Sequence, residues 1–319
     1  MNRPLVEVPA MCSARHDVVR SVLWACALAL MVTGVSGCVG SARSDVRAAP
    51  PRPVIDLSLP WPSEGQAGIE VVGVGGLGTS GQMRPVPIAS VTKVMTAHVI
   101  LRDHPLKDGE AGPLIEVDRT AATESLSGRE STAPVREGQR LSLRRSLELM
   151  LIPSGNNVAR LLARWDAGSQ EAFVAKMNAA AAGLGMADTV YTGASGNEDS
   201  TVSTAVDQLK LARQVMKDEV FRQVVAMTET TVPGDPSVLR NTNTLLDRPG
   251  VIGVKTGSGT AAGGNLMWAV KAEMDGRTRL VLGVVLAQSP GTNPTAGKYA
   301  ALDAGDRLIT AVRKELASR

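Results

Sequence analysis

The polar and apolar positions divide the chain into three stretches of different character. Near the start, Arg15, His16 and Arg20 precede an apolar run from Ser21 to Val35, and the small residues Ser36 and Gly37 lead to Cys38. A charged region, an apolar core and a small-residue cleavage site describe an export signal. The run is shorter than the about 20 residues that a membrane-spanning helix needs. From Val39 to Gln66 the composition turns to Ala, Arg, Ser and Pro, centred on Pro50-Pro51-Arg52-Pro53, the pattern of an extended tether. The expected organisation is a signal over 1–37, a tether over 38–66 and a folded body over 67–319.

Within the body, Ile69 to Val74 is β-rich, Gly75 to Gly81 is turn-rich and Met83 to Ile88 is extended again, which reads as a β-hairpin. Helical patterns follow. From Ala89 and Ser90 an apolar-all-round segment runs through Leu101, as in a buried helix. Ser142 can cap a helix to Leu151 that Pro153 closes, and Ser169 a helix through the alanines at 179–182. Thr204 to Asp207 opens an amphipathic helix through Met216. Extended segments return at Glu229–Val232, Val251–Thr256, Asn265–Met274 and Thr278–Gln288, the last two forming a hairpin around Asp275-Gly276. A closing helix covers 296–316, with Tyr299, Leu302, Leu308, Ile309 and Val312 as its stripe. Strands at both ends and helices between predict an α+β fold. It is an antiparallel five-stranded sheet flanked by helices with an inserted all-helical lobe, and a cleft where lobe meets sheet.

Composition narrows the function. A net charge of +3 over 319 residues and 3% aromatics lack the basic stripe and stacking rings that nucleic acids require. Cys12 and Cys26 fall within the signal, leaving Cys38 as the lone thiol of the mature chain. Val35-Ser36-Gly37-Cys38 resembles a bacterial lipobox, so Cys38 is the expected lipidation site, anchoring the chain to a membrane; simple secretion is the alternative.

Three short patterns carry candidate chemistry. Ser90 and Lys93 are three apart and share a face of the first helical turn. Burial and a helix N-terminus both oppose a lysine's charge and push it towards a neutral amine that can take a serine's proton. Taken alone, the pair also fits a helix-capping serine and a snorkelling lysine. Pro153-Ser154-Gly155-Asn156 lies in a loop between helices, where it serves as a turn, or offers a hydroxyl to relay a proton and an amide to orient a partner. Val254-Lys255-Thr256-Gly257-Ser258 ends a strand in a lysine, a hydroxyl and glycines that let another backbone approach. Gly73 to Gly78 formally matches G-x-G-x-x-G, but Thr79-Ser80-Gly81-Gln82 supplies no helix behind it, so it is no dinucleotide fingerprint.

In this order, S-x-x-K, S-x-N and K-T-G are far more specific than any one of them. From about Ile69 to Ala311 the sequence resembles the serine-type D-alanyl-D-alanine carboxypeptidases, the low-molecular-mass penicillin-binding proteins. The likeness extends to Pro87–Ala97, Leu151–Asn157, Asn241-Thr242-Asn243 and Gly253–Gly257. The resemblance implies acyl transfer without metal or cofactor. Ser90 attacks the carbonyl between two D-alanines ending a peptidoglycan stem, Lys93 takes its proton, and Ser154 helps protonate the departing D-alanine. Asn156 holds Lys93 and the substrate amide. Lys255 and Thr256 meet the terminal carboxylate, Gly257 joins them in binding the substrate, and the amides of Ser90 and Ser258 form the oxyanion hole. It also implies β-lactam antibiotics as covalent inhibitors and a site of action outside the cytoplasmic membrane. Three positions depart from the family pattern. Asn157 replaces an aspartate, a change expected to matter for lobe packing. Ser258-Gly259 replaces an aromatic or histidine after K-T-G, and Lys298 is the only cation between Gln288 and Ala301 where relatives carry an arginine.

Rival readings fare less well. A Ser-His-Asp hydrolase would have to use His98 or His104, and the mature chain has no G-x-S-x-G. A class A-like β-lactamase needs a glutamate in an E-x-x-L-N segment, which neither Glu171 nor Glu198 provides. A non-catalytic peptidoglycan-binding lipoprotein would have no need of all three motifs intact.

Overall fold

A computed structural model describes residues 57–319; the expected signal, Cys38 and most of the tether lie outside the described residues. The frame is a five-stranded antiparallel sheet. It is built from β1 (Gln66–Val71), β2 (Gly75–Ser80), β3 (Val251–Gly259), β4 (Gly263–Met274) and β5 (Arg277–Gln288), in the order β2-β1-β5-β4-β3. The first strand of the described residues thus pairs with the last, and every helix but the terminal one lies between them in sequence, as the alternation of patterns predicts.

Strand periodicity divides the core in two. Along β4, Leu266, Trp268 and Val270 face one apolar cluster, while Met267 and Ala269 face the other. The first cluster is closed by the terminal helix α8, Pro294–Ala317, through Ala301, Leu302, Leu308, Ile309, Val312 and Leu316. Tyr299, expected on that stripe, points to solvent instead. Close contact is possible because Gly264 and Gly297 face each other: a Cβ on either would run into the other's backbone. Leu57 and Leu59 are buried in this same cluster, so packing begins before the expected end of the tether at Gln66. The other face of the sheet meets the helical lobe. Its helices are α1 (Lys93–Asp103), α2 (Arg119–Glu124), α3 (Leu143–Leu151), α4 (Asn156–Ala167), α5 (Gln170–Gly183), α6 (Ala205–Val215) and α7 (Glu219–Val225). Ser142, Ser169 and Thr204 cap α3, α5 and α6 through their side-chain oxygens, at the positions the sequence indicates.

The hairpin differs from expectation. Gly75–Ser80, expected to be the turn, is the strand that pairs with β1. Of the expected strand at 83–88 only Val86–Pro87 pairs, and its partner is Val202–Ser203. Glycine is a poor strand former, but β2 is an edge strand and Trp61 lies across it in place of its missing side chains. A Cβ on Gly78 would come within 3.1 Å of the indole. Glu229–Thr231 is extended as expected but pairs with Val238–Arg240 apart from the main sheet.

Candidate active site

The chain enters the lobe through a short 3₁₀ turn, Ala89–Thr92, before α1 begins at Lys93. Ser90 is therefore in the 3₁₀ turn and Lys93 at the first α-helical position. Ala89 adopts φ +45°, a region that costs a residue with a Cβ about 1–3 kcal/mol. The first residue of the S-G-N loop, Ser154, does the same at φ +68°. One departure immediately precedes Ser90 and the other opens the S-G-N loop, and both residues are buried.

Lys93 is fully buried, and its Nζ has three neighbours: Ser90 Oγ at 2.8 Å, Asn156 Oδ1 at 2.5 Å and the Ser195 carbonyl at 2.7 Å. Burial first, then the nearby charges of Lys255 and Arg160, hold its pKa well below that of a free lysine. The contact set decides how a neutral amine sits here. Two of its neighbours are carbonyl oxygens, which only accept, so they take the two N–H bonds. The remaining lone pair then faces the hydroxyl of Ser90, which donates to it.

Asn156 owes its orientation to a residue that no motif names. Its Nδ2 donates to Glu130 Oε2 at 2.7 Å, which turns Oδ1 towards Lys93. Glu130 in turn is held by the Arg160 guanidinium, which also reaches Glu124. Arg160 and the hydrogen bond from Asn156 outweigh the cost of burial and keep Glu130 below the usual carboxylate range. Next in sequence, Asn157 is buried. It donates to the carbonyls of Ala121 and Ala133 and accepts from the Ala133 amide, tying α2 and the 126–135 loop to α4. An aspartate could not donate to either carbonyl, so the departure at this position is a packing device, as expected.

Ser154 is buried, and its hydroxyl has no partner among the described residues. Lys255, on β3, is buried as well. Its Nζ donates to the Thr256 carbonyl at 2.9 Å, with Thr242 Oγ1 at 3.5 Å. Burial and the charge of Lys298 lower its pKa to about 7. Thr256 shares a 2.6 Å hydroxyl contact with Thr242. Gly257 brings β3 against the nucleophile's turn: a Cβ there would lie 2.9 Å from the Ser90 amide nitrogen.

Ser90, Ser154, Asn156, Thr256, Gly257 and Ser258, among others, line one cavity of about 450 Å³, and the buried Lys93 and Lys255 hydrogen-bond to residues of that lining. The structure thus brings together every predicted site residue except Cys38, which lies outside the described residues. Glu130, Arg160, the Ser195 carbonyl and Thr242 join them. Only Thr242 had a sequence signal, in Asn241-Thr242-Asn243; the others come from loops and helix faces without a pattern.

None of the rival catalytic groups lines this cavity. His98 lines a separate cavity with Arg102, Lys217 and Phe221, and burial lowers its pKa. His104 pairs with Asp166 and packs on Trp165. Glu171 is exposed in the first turn of α5, and the Glu198 carboxyl packs against Gly193 rather than lining the cavity.

Comparison with known proteins agrees with this geometry. The family model described as D-alanyl-D-alanine carboxypeptidase (peptidase family S11) matches residues 77–289. A D-alanyl-D-alanine carboxypeptidase of Streptomyces sp. strain K15 is 34% identical over 216 residues, which are 63% of this chain and 72% of the relative. A D-alanyl-D-alanine endopeptidase of Pseudomonas aeruginosa is 39% identical over 166 residues, 51% of each chain. The crystal structure of the Streptomyces K15 DD-transpeptidase superposes with a TM-score of 0.66 at 26% identity, covering 81% of this chain and all of that one. With the family model covering residues 77–289 and the fold superposing over most of its length, the chain belongs to the D-alanyl-D-alanine carboxypeptidase family of serine peptidases.

Proposed function

We propose that this carboxypeptidase removes the terminal D-alanine of peptidoglycan stem pentapeptides through an acyl-enzyme on Ser90. The observation that carries the assignment is the contact set of Lys93, whose two carbonyl acceptors leave its lone pair for the Ser90 hydroxyl. Lys93 Nζ takes the proton as Oγ forms its bond to the penultimate D-alanine carbonyl. The oxyanion meets the amides of Ser90 and Ser258, which the closeness of β3 to the 3₁₀ turn favours. The peptide C–N bond then breaks, and the leaving nitrogen receives the proton from Lys93 by way of the unpartnered Ser154 hydroxyl. Water attacks the ester and gives a proton to the same amine; the acyl–Oγ bond then breaks, and the amine returns that proton to the Ser90 oxygen.

The substrate's terminal carboxylate is met by Lys255 and Thr256, with Lys298 at the cavity rim in place of the arginine of relatives. An anion in that place offsets the burial that lowers Lys255, so substrate binding itself recharges this lysine. Fluorescent penicillin should label the protein covalently, and a stem pentapeptide should release D-alanine. Labelling without any D-alanine release would favour a binding protein, and rapid penicillin turnover a β-lactamase.

Glu130 acts through Asn156 and through its charge, which, like that of Glu198, raises the Lys93 pKa against burial and the nearby cations. Glu130→Gln keeps an acceptor and removes the charge. Lys93 then loses its proton more readily, so the acid limb of penicillin acylation should move to lower pH. A limb that stays in place or moves upward would refute this role.

Export and lipidation of Cys38 complete the proposal, since the substrate lies outside the cytoplasmic membrane. No helix of the described residues is long and apolar enough to cross a membrane. Cys38→Ser should therefore move the protein from the membrane fraction of its native bacterium to the soluble one. A variant that stays in the membrane with its signal uncleaved would make residues 21–35 the anchor.

A further inference from the structure

The cavity is lined by three charged side chains, Arg129, Glu130 and Lys298, and Glu130 is already paired with Arg160. Neither Arg129 nor Lys298 has a carboxylate partner among the described residues. The two line the same cavity as Ser90 but neighbour different groups. Lys298 is near enough to Lys255 for its charge to be felt there, which puts it with the group assigned to the terminal carboxylate. Arg129 adjoins Glu130, whose carboxylate holds Asn156, so it lies on the side where the acyl portion of the stem passes.

Resting on the peptidase reading above, we infer that Arg129 selects stems bearing a free carboxylate on the side chain of their third residue. The acyl D-alanine is the fourth residue, and one further residue of extended chain adds about 3.5 Å. The third side chain is thus the first to extend beyond Asn156 towards the 128–131 loop. Diamino acids at that place end either in an amine alone or in an amine with a carboxylate. An exposed guanidinium without a partner accepts the second in its two-pronged geometry and repels the first. Because Arg129 is exposed, the attraction and the repulsion are each of the solvent-screened kind, up to about fivefold apiece.

The test compares kcat/KM for D-alanine release from synthetic pentapeptide stems that differ at one place. The third residue is a diamino dicarboxylic acid, its side-chain amide, or lysine; a fourth stem carries the first of these with its second-residue α-carboxylate amidated. Wild-type protein should prefer the free third-residue carboxylate over its amide by about fivefold and over lysine by about tenfold. Arg129→Gln should erase the preference, and Arg129→Glu should reverse it in favour of lysine. Equal discrimination by wild type and Arg129→Gln would overturn the inference. So would a loss that follows the second-residue amide instead. Equal release from all stems by wild type defeats the inference alone, whereas release from none defeats the peptidase reading beneath it.

Discussion

Ser90→Ala is expected to form no covalent adduct with penicillin and to release no D-alanine, while unfolding at a temperature close to that of the wild type. Ser90 is half-buried in the 3₁₀ turn, and among the described residues its hydroxyl hydrogen-bonds only with Lys93, so alanine removes the nucleophile and little packing. The one group left without its partner is the Lys93 amine, which keeps both carbonyl acceptors. Intact-mass measurement after incubation with benzylpenicillin reads the outcome directly. An adduct of full stoichiometry on the variant would move the nucleophile elsewhere.

The second large effect concerns the base. Lys93→Arg should slow acylation by about 10² to 10⁴, the usual contribution of general-base catalysis. A guanidinium keeps its proton in proteins, so it cannot receive that of Ser90. Lys255→Arg keeps a cation for the substrate carboxylate and should lose far less. The pH profile separates the roles. The Lys93 pKa is lowered, first by burial and then by Lys255, so the amine gives up its proton more readily than a free lysine and regains it as the pH falls. Wild-type acylation should accordingly decline towards acid along an ionisation well below the roughly 10.4 of a free lysine. Stopped-flow acylation rates for both variants across pH check this. Equal losses, or a fast Lys93→Arg enzyme, would assign the proton to another group.

How much of this could be read from the chain depends on the range over which each signal acts. Helix caps are local, so Ser142, Ser169 and Thr204 mark their helices within a few residues. The β4–β5 hairpin was likewise legible, because Asp275 and Gly276 take the positive φ that a two-residue turn needs. The glycine-rich edge strand β2 was not, since what compensates its weak propensity is Trp61, far along the chain. The site shows the same division. Ser90 and Lys93 face each other because a helical turn puts them there. Glu130 reaches Asn156 across 26 positions, and the Ser195 carbonyl reaches Lys93 across 102. A backbone carbonyl leaves no mark on the identity of its residue, so the acceptor that helps orient the Lys93 lone pair is invisible in sequence.

The account stands most directly on the chemical identity of the intermediate. Wild-type protein mixed with a stem pentapeptide and quenched in acid within milliseconds can be digested and its peptides weighed. The account predicts that the peptide containing Ser90 gains the mass of the stem less its terminal D-alanine, with fragmentation placing the ester on Ser90. D-alanine released with no such ester, or an acyl group found on any other residue, would contradict it.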